Sequence, residues 1–216
     1  MFQFNFKDIV PFLSTQEEID ELERRKQEEG RYARYCAAVP ERYRAESFGT
    51  FKISMEWQRS ALADCRNFVQ DVKAGAFRTL ILLGTVGTGK THLACGILRE
   101  LGGLYKETRE CIEELRQAST FGAKESEEDV LGRYARARLL VLDEIGRGSG
   151  GTSERYMLYN VINCRYNGRK PLVLVSNMDK QAFLSYIGIA AADRLNESAR
   201  IVDCNGESYR GKLKDG

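Results

Sequence analysis

The string Gly84-Thr85-Val86-Gly87-Thr88-Gly89-Lys90-Thr91 fits the pattern G-x-x-x-x-G-K-[ST] at every position. Each residue type there has a physical reason. The glycines let the backbone turn its amides inward as a nest for anionic oxygens, the Lys90 ammonium reaches outer phosphates, and the Thr91 hydroxyl is suited to a magnesium ion. Residues 84–91 therefore predict a nucleotide site, with His92 counted as its last member and read as a packing residue at the start of the following helix. Asp143-Glu144 closes a second apolar run. At the carboxyl edge of a parallel strand, Asp143 would bind magnesium through water and Glu144 would polarise an attacking water, which is the layout of a hydrolase. Ser176-Asn177 ends a third run, and the neutral amide of Asn177 suits it to orienting the same water or touching a terminal phosphate. Asp193-Arg194 falls on a predicted helix and Ser208-Tyr209-Arg210 lies near the end of the sequence; by default each arginine is a surface ion-pair residue.

These groups need a scaffold that brings them to one edge. The runs at 80–83, 139–142 and 172–175 are short, rich in Leu, Val and Ile, and separated by helical patterns, as expected of central parallel strands covered on both faces. An α/β sheet follows. Between the first two runs the pattern predicts a helix from Lys90, a short strand at Leu104-Tyr105, a helix carrying Ile112 and Leu115, a polar loop over 119–128, and a short helix with Val130, Leu131 and Tyr134. Upstream, Trp57, Ala61, Cys65, Phe68 and Val72 recur at helical spacing over 56–73 and read as core, with Gly75 ending the helix. Residues 14–38 form a charged helix with Ser14 as cap and Glu17 completing a capping box; its thin stripe of Ile19 and Leu22 suits either a solvated face or a partner-docking one. Val39-Pro40 marks a boundary before an irregular aromatic connector, Glu41-Arg42-Tyr43 to Phe48-Gly49-Thr50-Phe51.

At 216 residues, 43% hydrophobic and 30% charged, the chain has room for one main domain and a short appendage. No apolar run spans a bilayer and the first residues carry no export pattern, so a soluble cytoplasmic protein with no membrane partner is expected. Six scattered cysteines and one histidine exclude a zinc site and disfavour Ser/His/Asp chemistry; reduced thiols fit best. The net charge of +2 is uneven: residues 1–50 hold eight basic and ten acidic groups, leaving +4 for the remainder.

The order of the P-loop, Leu140-Val141-Leu142-Asp143-Glu144-Ile145-Gly146, Ser176-Asn177, Asp193-Arg194 and Ser208-Tyr209-Arg210 resembles the DnaC/IstB branch of the AAA+ ATPases. The connector Val39-Pro40-Glu41-Arg42-Tyr43-Arg44 with Ser47-Phe48 extends the likeness over residues 39–212. The resemblance implies an α/β fold, an AAA+ P-loop NTPase core with a five-stranded parallel sheet in the order 5-1-4-3-2 flanked by helices. Residues 1–38 would be a short helical partner-binding arm and 39–216 the ATPase domain. It implies ATP and Mg2+ as cofactors, Thr91 and Asp143 on the metal, and Lys90 and Glu144 as catalytic residues. Asn177 would be the sensor 1 residue, Arg194 the arginine finger reaching a neighbouring subunit's ATP, and Arg210 the C-terminal sensor arginine, so a lone monomer would be a weak ATPase. Members of the DnaC kind load a replicative DNA helicase onto single-stranded DNA, which makes the helicase, single-stranded DNA and further copies of the ATP-bound chain the implied partners. The IstB kind, which assists a transposase on target DNA, is the alternative. The stretch 146–151 is more glycine-rich than the family pattern and takes no role from it. Arg133, Arg136, Arg138 and Arg147 are candidates for a phosphate-tracking surface, with a plain solvated face as the competing reading.

Overall fold

The computed structural model describes residues 15–208. Helix α1 (Gln16–Ala38) leads past a short turn at Glu41–Tyr43 to α2 (Glu56–Lys73), β1 (Thr79–Leu83), α3 (Lys90–Leu101), β2 (Leu104–Glu107) and α4 (Thr108–Ala118). Then come α5 (Glu127–Arg136), β3 (Leu140–Ile145), α6 (Thr152–Asn167), β4 (Leu172–Ser176), α7 (Lys180–Ile187), α8 (Ile189–Asn196) and β5 (Ala199–Asp203). The strands pair in parallel in the order β2-β3-β4-β1-β5, which is the expected order read from the other edge. Side chains alternate across the sheet. Leu80, Leu82, Val141, Val173 and Val175 join a core with α2 and α3, while Ile81, Leu83, Leu140, Leu142 and Leu174 join one with α4, α6 and α7. Central strands covered on both faces need apolar residues at successive positions, which is why their runs stood out in the sequence.

The departures from expectation are local. Helix α1 is capped by Thr15, whose Oγ1 accepts the Glu18 amide at 3.3 Å while the Glu18 carboxylate takes the Thr15 N–H at 3.0 Å. Ser14 lies outside the described residues; Ser14 and Thr15 are both cap formers with an acid three residues on, so the pattern alone left a one-residue ambiguity. The polar loop ends at Ser126, which caps α5 in reciprocal bonds with Asp129. Strand β5 has no continuous apolar run, because an edge strand leaves Arg200 and Asp203 exposed. Arg165 of α6 is wholly buried, and its guanidinium donates to the carbonyls of Tyr134 (2.8 Å), Ala137 (2.6 Å) and Pro171 (2.5 Å), tying the approaches to β3 and β4 together. Burial lowers this group to about 10. All six cysteines are unpaired.

Candidate nucleotide site at the carboxyl edge of the sheet

Strand β1 runs into the P-loop, and α3 begins at Lys90 with Gly89 as its cap. Two glycines there have no substitute. Gly84 has φ +133°, and a Cβ would lie 2.5 Å from the Cys204 carbonyl; Gly89 has φ +92°, and a Cβ would press the Phe51 ring at 2.8 Å. Lys90 is buried inside the loop, its Nζ donating to the carbonyls of Gly84 (2.8 Å) and Thr85 (2.6 Å). Above the loop crosses the segment after β5. The Asn205 side chain accepts the Thr85 amide at 3.2 Å, and the Thr85 hydroxyl donates to the Gly206 carbonyl at 2.6 Å.

Consecutive strand residues face opposite sides of a sheet, so Asp143 and Glu144 cannot share a pocket in a regular strand. The register of β3 against β4 slips by one residue between Leu142 and Ile145, and Glu144 takes a left-handed φ of +58°. The bulge turns both carboxylates to the same cavity. Asp143 is almost fully buried. Its Oδ2 accepts from Thr91 Oγ1 and from the Tyr105 hydroxyl, each at 2.8 Å, and Oδ1 accepts the Glu144 amide at 2.7 Å. Burial pushes its carboxyl above the ordinary range, against the pull of these three bonds. Thr91 and Asp143 offer one hydroxyl and one carboxylate side by side, a hard oxygen set that fits Mg2+, which keeps most of its shell in water and phosphate. Among the described residues no cluster of three or more His, Cys, Asp or Glu side chains could hold a metal.

Asn177, exposed after β4, lines the same cavity of about 540 Å3, within the usual span of small-molecule sites. Ser176 is structural: its hydroxyl donates to the Ile145 carbonyl at 2.7 Å and holds the ends of β3 and β4 together. The opposite wall is the aromatic connector, with Tyr43, Thr50, Phe51 and Lys52 facing the P-loop residues Val86 to Thr91. His92 lines the cavity but turns its nitrogens to the connector: Nδ1 meets the Glu46 carboxylate and Nε2 lies 2.8 Å from the Ser47 carbonyl. Arg194 does not line this cavity. It bonds Asn163 (3.2 Å) and Asp193 (3.0 Å) and covers the Tyr166 ring on α6. Arg210 lies outside the described residues.

Sequence reasoning missed Tyr105 as a partner of Asp143 and Arg147 as a cavity residue, because neither carries a motif, and the connector wall, because the connector's sequence pattern does not say that it packs beside the P-loop. Of the candidate basic surface, Arg133 is committed to Glu114 and Glu125, each at 2.9 Å, while Arg136 and Arg138 are exposed. No described helix is long and apolar enough to cross a membrane.

Three comparisons place this architecture among known proteins. A family model described as IstB-like ATP binding protein matches residues 2–215. The replicative helicase loader DnaC of Escherichia coli K12 is 27% identical over 174 residues, 77% of this chain and 70% of that one. The crystal structure of the DnaC helicase loader superposes with a TM-score of 0.69 at 22% identity, covering 76% of this chain and 99% of that chain. The replication initiator DnaA bound to AMPPCP and single-stranded DNA shares the fold with a TM-score of 0.62 at 20% identity, covering 82% of this chain and 56% of that chain.

Proposed function

The chain belongs to the family of IstB-like ATP-binding proteins, and from that premise we propose that it is an ATPase that captures a replicative DNA helicase and delivers it onto single-stranded DNA. The observation that carries the ATPase reading is the bulge in β3, which directs Asp143 and Glu144 together into the cavity that Lys90 and Thr91 already line. The similarity to the DnaC loader supports the helicase as partner.

In this reading the amides of residues 84–91 and the Lys90 ammonium hold the outer phosphates of ATP, and Thr91 and Asp143 would hold Mg2+. When bound, the ion supplies positive charge against the phosphate oxygens. Glu144 polarises the attacking water and accepts its proton; the Asn177 amide fixes that water or the terminal phosphate. Arg194 stands away from its own chain's cavity, which supports a role on a neighbouring subunit's ATP and makes assembly a condition of turnover. Arg210, outside the described residues, is the proposed C-terminal sensor arginine, a role that rests on its place in the Ser208-Tyr209-Arg210 motif.

Residues 1–38, with their acidic helix, are the arm for the helicase. Phe121, wholly exposed on the loop between α4 and α5, is available to stack on an unpaired base, and the exposed Arg136 and Arg138 are available to phosphates. The reading places the protein in the cytoplasm. Affinity capture from native extract, with and without a non-hydrolysable ATP analogue, tests it. A replicative helicase retained in an analogue-dependent way is the expected result; a transposase in its place assigns the chain to the IstB kind of activity.

A further inference from the structure

One residue of the P-loop is held from outside. Outward, the Thr85 amide donates to the Asn205 side chain at 3.2 Å and the Thr85 hydroxyl donates to the Gly206 carbonyl at 2.6 Å, while the Gly206 amide donates back to that hydroxyl oxygen at 3.2 Å. Inward, the Thr85 carbonyl accepts from Lys90 Nζ at 2.6 Å and from the Thr88 hydroxyl at 2.9 Å. The ammonium proposed to meet phosphate and the segment beyond β5 therefore converge on a single residue. That segment is anchored where it begins, by the Cys204 amide donating to the Leu83 carbonyl at 2.6 Å.

The strap formed by residues 204–208 has a wall on each side. A Cβ at Gly87 would collide with the Ser208 hydroxyl, so one side rests on the P-loop; a Cβ at Gly206 would lie 2.7 Å from the Trp57 ring, so the other abuts α2. Trp57 is the sole tryptophan of the chain. A loop with glycines at 84, 87 and 89 loses much conformational freedom when it closes on an anion, and bonds that fix Thr85 beforehand reduce that loss. Lys90 supplies the moving part. Its ammonium has three donors, and inside the loop they face the Gly84 carbonyl (2.8 Å), the Thr85 carbonyl (2.6 Å) and the Thr88 hydroxyl (3.4 Å), so it reaches outer phosphates only by leaving one of these. Because Thr85 is tied to Gly206, a change in the pull on its carbonyl shifts the strap against Trp57.

We infer that Thr85, Asn205 and Gly206 form a clasp that presets the P-loop for phosphate and carries its occupancy to Trp57. This rests on the nucleotide-binding reading above. Thr85 and Asn205 are positioning residues, acting on phosphate through the loop and Lys90.

The test is ADP binding by the full chain in Mg2+, followed by calorimetry and by tryptophan emission, with the melting temperature measured without nucleotide. ADP shifts the emission of the wild type in step with the calorimetric isotherm. Thr85→Val, which removes the hydroxyl and keeps the shape, weakens ADP by roughly threefold to tenfold, the scale of one hydrogen bond, and flattens the emission change. Thr85→Ser restores both. Asn205→Ala, a change at an exposed side chain, repeats the loss. Wild-type affinity in both Thr85→Val and Asn205→Ala, even with a lowered melting temperature, makes the contacts merely structural and overturns the clasp. Weakened binding that Thr85→Ser does not restore overturns the role of the hydroxyl. Emission that ignores calorimetrically bound ADP, or that moves equally in Thr85→Val, overturns the relay to Trp57. A wild type that binds no ADP overturns the nucleotide reading, and the inference with it.

Discussion

Tyr105 is the residue through which the edge of the sheet reaches Asp143, the carboxylate proposed to hold Mg2+. Its hydroxyl donates to the same Asp143 oxygen as Thr91, and burial raises its own proton affinity so that it stays a donor. Removing the hydroxyl leaves Asp143 one bond short at a site it shares with the magnesium position. Tyr105→Phe should therefore raise the Mg2+ concentration for half-maximal turnover by roughly threefold to tenfold, the scale of losing one hydrogen bond to a charged group, while Mg2+-free ATP binding stays unchanged. Equal Mg2+ dependence in the two proteins would show that Thr91 and the Glu144 amide orient Asp143 without Tyr105. Lys90, Thr91, Asp143, Glu144 and Asn177 were legible because each sits in a motif or at a strand end. Tyr105 was not, since its bond across strands depends on register, and register is set by the whole sheet; Arg147 was not, because its place at the cavity follows from the bulge in β3 and the turn after it.

At the scale of elements, the same contrast recurs. The buried strands β1, β3 and β4 were readable as apolar runs, whereas β5 was hidden by its exposed edge and the bulge in β3 by an unbroken strand pattern. The junction of β2, α4 and α5 shows a device that sequence could not give. Glu114 of α4 accepts from Lys106 (2.5 Å), Arg133 (2.9 Å) and the Tyr134 hydroxyl (2.6 Å). Burial raises its carboxyl, but the three donors outweigh it and hold the group below the ordinary glutamate range. The sign follows from linkage: the folded state binds this proton less readily than the unfolded chain, so the stabilisation is complete above the ordinary value of about 4.3 and is lost as pH falls through the depressed one. Glu114→Gln should lower the melting temperature at neutral pH and narrow its gap from the wild type in acid. A gap that is constant with pH would assign Glu114 a packing role only.

Taken whole, the molecule joins a surface helix to an ATP-binding core through residues that serve both. Most of α1 is exposed, yet Tyr35 is buried and donates its hydroxyl to the Tyr43 carbonyl at 2.6 Å, and Tyr43 lines the ATP cavity. His92 makes a second link, from the P-loop helix to Glu46 and Ser47. The connector between α1 and the core is thus also a wall of the nucleotide site, a continuous path that would couple a partner on the proposed arm to ATP in the cavity. The uneven charge fits this division, net −2 over residues 1–50 and +4 beyond. The measurement that bears most directly on an ATP-driven loader is the lifetime of its helicase complex in Mg2+-ATP, compared between the wild type and Glu144→Gln. Both should capture the helicase, the wild type should release it as ATP is consumed, and Glu144→Gln should hold it roughly a hundredfold longer, the scale of a lost general base. Equal lifetimes, or capture that ignores nucleotide, would contradict the account.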